Sequence, residues 1–318
     1  FVLIGIGLLY SVTGTLNMAD LAARLPTVGS TRTVPVAFGF LIVGIMLKLA
    51  LFPLHLWLPN AYAYAPSSAT ALLAATATKV AVYMLLRFSF TIFGAEFSFD
   101  VMRLDAVLIL LALVAIFTMS LVAIFQQNVK RMLAYSSLAQ IGYIALGIGL
   151  ASQTGLTAGI LHLFNHALMK AALFLALGSV FYRLGSVHLK EMAGLGREMP
   201  ATMAAFVTAG LSLVGVPLTV GFISKWYLIL AVIERGWWIV AALILVTSLM
   251  ALVYIWRVVE VAYFQAPANG RVPVAEAPMS LLLPTWALVL ANLYFGIDAS
   301  LTSGLASRAA VVLLGGGS

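Results

Sequence analysis

The sequence predicts an all-α, polytopic membrane helix bundle with about nine to ten spans of bilayer-crossing length. Three observations predict it. The 318 residues are 63% hydrophobic and 8% charged, with a mean hydropathy of +1.11, whereas a soluble domain carries about 25% charged residues. Apolar runs recur along the whole chain at roughly the 20 residues that a membrane helix needs. The runs are continuous, unlike the alternating segments of ~10 residues that build membrane barrels.

The elements follow in order. Apolar runs near 1–17, 34–51, 67–93, 105–126, 131–150, 156–182, 201–233, 237–264 and 280–298 each predict a span, and a weaker tenth covers 304–314. Between the first two runs, 18–33 reads as a short interfacial helix followed by a loop. The stretch 265–279, with Pro267, Pro273 and Pro278, is the clearest loop. Two runs are interrupted. Pro53 follows Lys48 in the first, and a proline removes a backbone donor and clashes with the turn before it. In the second, Gly215, Pro217 and Gly221 precede Lys225 within 201–233, a run too long for one straight span. Broken helices persist at membrane depth where the freed backbone groups are buried in protein or line a wet cavity. Paired interruptions also point to the ion or substrate site of inverted-repeat transporters. Loops bearing Lys130, Arg131, Arg183, Lys190, Arg197, Arg257 and Arg271 are assigned to the cytoplasmic side, opposite Arg24, Arg32, Arg103 and Arg235.

Composition excludes several functions. The net charge of +7 is scattered singly over helix ends and cores, without the basic run of a nucleic-acid binder. The chain has no cysteine, so it supplies no thiolate for zinc or iron–sulfur clusters and no thioether for haem. No cofactor is expected, and any electron transfer must occur elsewhere. No phosphate-binding glycine loop, nucleophile elbow or zinc motif occurs. Phe1 opens the chain inside an apolar run, so the natural polypeptide is expected to extend further toward its N-terminus. Gly315, Gly316, Gly317 and Ser318 read either as a linker or as a natural glycine-rich tail.

Four lysines carry the chemical argument. Lys48, Lys79, Lys170 and Lys225 stand inside apolar runs, where a charge at mid-membrane costs roughly 2.5–3.5 kcal/mol on insertion scales. No Asp or Glu lies at comparable depth. Lys48 and Lys225 each lie near a helix break, where a lysine can meet water and freed carbonyls and so load and release a proton. Snorkelling to the interface is the plainer alternative. Lys79, with Thr76 and Thr78 nearby, suits a relay or a structural bond to neighbouring carbonyls. His162, His166 and Lys170 are spaced i, i+4, i+8 on one helix face, with Asn165 beside them. Neutral histidine both accepts and donates a proton, so this file reads as a proton wire. A metal is the weaker reading, because no acidic or Cys ligand is near and Lys170 would repel a cation. At the first break, His55 is a candidate gate of one mouth, while Trp57 reads as an interfacial loop aromatic. Arg257 and Glu260 are expected to form an i, i+3 ion pair.

The segment LFPLHLWLPNAYAYAPSSATALLAATATKVAVY after Lys48 resembles the central signature of the antiporter-like subunits. These are the L, M and N subunits of respiratory complex I, related hydrogenase subunits and the D-type subunits of Mrp sodium/proton antiporters. NVKRMLAYSSLAQIGY, HLFNHALMKAALFLALGSV and VGVPLTVGFISKWYLI resemble the next three signatures in the same order, and the resemblance covers roughly 1–265. It implies two inverted five-helix repeats, each with a discontinuous helix. On that division 1–100 is the C-terminal part of the first repeat, 101–265 the second, and 266–318 additional membrane helices. The resemblance places Lys48 at the lysine of the first broken helix and Lys79 in the following helix. His162, His166 and Lys170 fall on the central axis, and Lys225 is the terminal lysine of the second broken helix. An earlier helix of the family carries a glutamate that pairs with the first lysine, and this chain lacks that helix. Asn60 replaces a more usual aspartate, and there is no sign of the long lateral helix found in some members.

The implied function is a proton-translocating membrane subunit, a translocase part of NADH:quinone oxidoreductase type with no redox centre of its own. A subunit of a multisubunit monovalent cation/proton antiporter and a non-conducting scaffold are the alternatives. The expected partners are other membrane subunits, the lipid bilayer and protons, with sodium in the antiporter case, and no nucleic acid. The expected location is the bacterial inner membrane.

Overall fold

A computed structural model describes residues 1–29, 31–267 and 271–315. Three members of the expected linker-like terminus, Gly316, Gly317 and Ser318, lie outside the described residues, as do Ala268, Asn269 and Gly270 of the expected loop. The protein is an integral membrane helix bundle, and among the described residues no strand occurs. Its helices are α1 (Val2–Thr13), α2 (Met18–Val28), α3 (Thr33–Leu49), α4 (Trp57–Tyr64), α5 (Ser67–Leu86), α6 (Leu104–Ile124) and α7 (Val129–Gly149). They continue as α8 (Gln153–Leu184), α9 (Leu195–Glu198), α10 (Pro200–Val214), α11 (Val220–Glu234), α12 (Trp238–Phe264), α13 (Met279–Ile297) and α14 (Ser300–Leu313).

Against the nine or ten expected spans, six helices among the described residues are long and apolar enough to cross a membrane, or up to seven if the bent pair α1–α2 is one span. The difference lies in helix length. The run 1–17 folds as only the 12 residues of α1, which meets α2 at 65°. The interrupted runs divide into shorter helices, α3 and α4 at one break and α10 and α11 at the other. The connection after α5 is wound into π-helical turns, Arg87–Ile92 and Glu96–Val101, which bring Phe93 and Phe97 edge-on against Phe38 at 5.0 and 5.6 Å.

The core forms around α7 and α8. Almost every residue of α7 is buried, the polar Lys130, Ser136 and Gln140 included, because α4, α6 and α8 pack around it. Asn128 opens α7 by accepting a hydrogen bond from the Arg131 amide at 3.0 Å, and Ser152 does the same for α8 through Gly155 at 3.1 Å. α8 has 32 residues, about 48 Å of helix, and α5, α7, α10, α11, α13 and α14 all pack on it. Small residues set the closest approach: a Cβ added to Gly147 would lie 2.7 Å from the Gly155 carbonyl oxygen.

Three expectations about single residues fail. Arg257 and Glu260 do not pair; the Arg257 guanidinium instead donates to the carbonyls of Ile124 and Gln126 at the end of α6. A helix end with orphaned carbonyls competes better for the guanidinium than an exposed carboxylate does. Trp57 is no loop anchor: it begins α4 and its indole donates to the Leu47 carbonyl at 2.9 Å. Lys130 is no solvated loop residue. It is 6% exposed and its ammonium donates to the Ala65 carbonyl.

Candidate functional site

The two breaks differ chemically. At the second, Gly215 takes a left-handed φ of 94° and Leu218 a φ of 70°, so the chain leaves α10 and re-enters α11 across five residues. Two carbonyls at the end of α10 are thereby released from helix pairing. Lys225 in α11 claims both, donating to Leu213 at 3.1 Å and Val214 at 2.8 Å, and adds Ser248 Oγ of α12 at 3.0 Å. Its Nζ also lies 5.1 Å from the centre of the Tyr143 ring. Gly221 permits this closeness, since a Cβ there would stand 1.7 Å from the Ser212 carbonyl oxygen. Pro217 is exposed in the middle of the break.

At the first break α3 ends at Ala50, with φ 60°, before Pro53 is reached. Here the Trp57 indole and the Ala50 amide both satisfy the Leu47 carbonyl. Lys48 is exposed in the last turn of α3. Among the described residues it is not enclosed, unlike Lys79, Lys170 and Lys225. One turn earlier, Gly44 packs on Phe1 and Val2. His55 is buried and stacked on Phe52 at 5.3 Å.

The other expected residues converge. Lys79, His162, His166, Lys170 and Lys225 are all buried, and among the described residues no Asp or Glu is buried with them. His162 bridges two helices: Nε2 meets Gln140 Oε1 at 2.9 Å and Nδ1 meets Ser224 Oγ at 2.8 Å. A neutral ring fits both contacts, with Nε2–H donating to the amide oxygen and Nδ1 accepting from the hydroxyl. The His166 ring lies 6.3 Å from that of His162 and nearly parallel to it, at 7°. Neither His166 nitrogen has a hydrogen-bond partner among the described residues. Lys170, wholly buried, donates to the Leu133 carbonyl at 2.9 Å and to Ser136 Oγ. Lys79 of α5 donates to the Ala74 carbonyl, and α5 packs along α8. Asn165 fastens α8 to the start of α11 through the Val220 carbonyl at 2.7 Å.

Several members were not singled out from the sequence. Gln140, Ser136, Tyr143, Ser224 and Ser248 line the same axis. A signal existed for some of them: Ser136, Gln140 and Tyr143 recur at helical spacing in an otherwise apolar run. Ser248 had none.

A family profile described as "NADH:quinone oxidoreductase/Mrp antiporter, TM" matches residues 1–251. The NADH-quinone oxidoreductase subunit N of Desulforudis audaxviator is 41% identical over 309 residues, covering 93% of this chain and 61% of that protein. The D-type Na(+)/H(+) antiporter subunit of Alkalihalophilus pseudofirmus is 33% identical, covering 93% of this chain and 59% of that protein. This chain thus spans about three fifths of the curated relatives it matches. A chain of the Mrp complex from a Dietzia species superposes with a TM-score of 0.88 at 29% identity, covering 98% of this chain and 65% of its own length.

Proposed function

This chain belongs to the family of NADH:quinone oxidoreductase and Mrp antiporter membrane subunits, and from that premise we propose that it carries protons along the buried axis Lys79–Lys170–His166–His162–Lys225. The observation that carries the reading is the composition of the axis: three lysines and two histidines share one buried file with no carboxylate among the described residues. Like charges so placed in a poorly polarisable interior repel strongly. The file is therefore suited to holding few protons at a time and passing them on. Each lysine is met by carbonyls and hydroxyls, which accept from an ammonium and also solvate a neutral amine's N–H. His162, poised between an amide and a hydroxyl, can pass a proton through its ring by exchanging tautomers. Lys48, at the first break, is a further station of the same pathway.

The driving force is a redox-coupled complex of further membrane subunits in a bacterial inner membrane, in line with the oxidoreductase relative. A cation/proton antiporter subunit is the second reading, favoured by the antiporter relative and the Mrp superposition. Two broken helices, each with a lysine beside the break, support 1–100 and 101–265 as parts of two inverted repeats, with 266–318 added. The test is Lys225→Ala in the assembled complex in sealed vesicles. Proton movement should be lost while assembly persists; unchanged pumping sinks the assignment. Sodium-dependent proton flux separates the antiporter from the redox-driven pump.

A further inference from the structure

The buried lysine not used above is Lys130, in the first turn of α7. It shares a face with the axis. Residues 130, 133, 137 and 140 repeat at three- and four-residue spacing along α7. On that face the Leu133 carbonyl receives the Lys170 ammonium, and Gln140 receives His162. One helical turn, a rise of about 5 Å, separates Lys130 from the Leu133 level. In the other direction Lys130 opens on a cavity of about 480 Å3 between the α4–α5 turn and the ends of α7 and α8. Tyr64, Ser67 and His188 line it with Lys130, and both Tyr64 and His188 are exposed.

We propose that this cavity is a proton mouth of the chain, with His188 collecting protons at its rim and Lys130 passing them to Lys170. The proposal rests on the axis reading above. The step is proton transfer only. Lys130 takes a proton from His188 or from water in the cavity, gives it up along the α7 face to the Lys170 amine, and returns neutral. No bond to carbon is made or broken. The position suits this role, because the site is open to the outside on one side and, on the other, leads along α7 to Leu133 and Ser136, which hold the fully buried Lys170 ammonium. The competing role is structural, since the Lys130 ammonium, reaching across from α7, caps the Ala65 carbonyl at the end of α4.

Chemical rescue separates the two roles. Lys130→Ala in the complete complex, in sealed vesicles, should lower proton flux per assembled subunit at least about a hundredfold, the low end of what a positioned proton carrier contributes. Methylamine and ethylamine, small enough for the cavity, should restore it, with rates ordered by the basicity of the amine. Lys130→Arg should not restore flux, because guanidinium keeps its proton. Flux that stays normal in Lys130→Ala, lost flux that no amine restores, or full flux in Lys130→Arg overturns the proposal. His188→Gln, at an exposed position, guards against misfolding of the buried variants. Its flux at low buffer capacity should fall and recover with external imidazole, and no fall overturns the rim role. Lys225→Ala run in parallel keeps the readings apart. If it too pumps normally, the axis itself fails; if only Lys130→Ala pumps normally, the mouth alone fails.

Discussion

Substituting Gly221 by alanine tests how Lys225 is held. The added Cβ would lie 1.7 Å from the Ser212 carbonyl oxygen and 2.9 Å from its carbon. Both are backbone atoms of α10, so no side chain can swing aside. A carbon–oxygen contact of about 3.3 Å is regained only if α10 and α11 separate by about 1.6 Å. Lys225 now reaches Leu213 at 3.1 Å and Val214 at 2.8 Å. That separation carries both oxygens out of hydrogen-bonding range. Two bonds to a charged donor, each worth about 1.5–3 kcal/mol, are lost, so destabilisation of at least about 3 kcal/mol is expected. Thermal unfolding of the purified protein in detergent reports the stability, and acidification of sealed vesicles reports the flux. Flux should fall at least tenfold, since a shift of about 1 Å in a reacting geometry can cost a hundredfold. Full stability with full flux in Gly221→Ala would refute the close contact and the seating of Lys225 that depends on it.

Gln140→Leu leaves His162 Nε2 and the space beside it without the amide. An unsatisfied buried donor costs about 1–3 kcal/mol, and flux should drop with it, while Gln140→Glu should keep the acceptor and much of the flux. Vesicle flux together with thermal unfolding checks both variants. Arg257→Ala removes the cap on Ile124 and Gln126 at the end of α6, a contact that involves none of the axis residues. It should lower stability by about 1–3 kcal/mol and leave the flux per assembled subunit unchanged, as measured by melting and by normalised acidification.

Much of the architecture was legible because membrane helices announce themselves by length and apolarity. The runs that became α5 to α8, α12 and α13 needed only that signal. The break before Lys225 was legible for a different reason: glycine and proline punctuate a run that is too long. The i, i+4, i+8 spacing of His162, His166 and Lys170 likewise fixed a common face before any packing was known. What escaped was everything decided by a neighbour. Lys170 sits in a run that reads like many apolar runs, and only the packing of six other helices on α8 shows that it is enclosed. Lys130 reads as a loop charge because it follows Asn128 at a helix start, and only the fold brings the Ala65 carbonyl over it. Arg257 found a helix end instead of Glu260 for the same reason. Ser248 joins the axis from α12, 23 residues after Lys225, through a contact that no local pattern encodes.

Lys170→Met offers the most direct measurement of the central claim. Lys170 is wholly buried within the file, so protons moving along that file must pass its position. The substitution removes the amine while sparing the fold, because the Leu133 carbonyl keeps its bonds from Ser136 at 2.9 Å and Ser137 at 3.0 Å. Methionine also fills the space with an apolar chain of similar length. Proton flux through sealed vesicles bearing the assembled variant should vanish while its melting temperature holds. Wild-type flux from the same vesicles would contradict the buried lysine–histidine axis as the route.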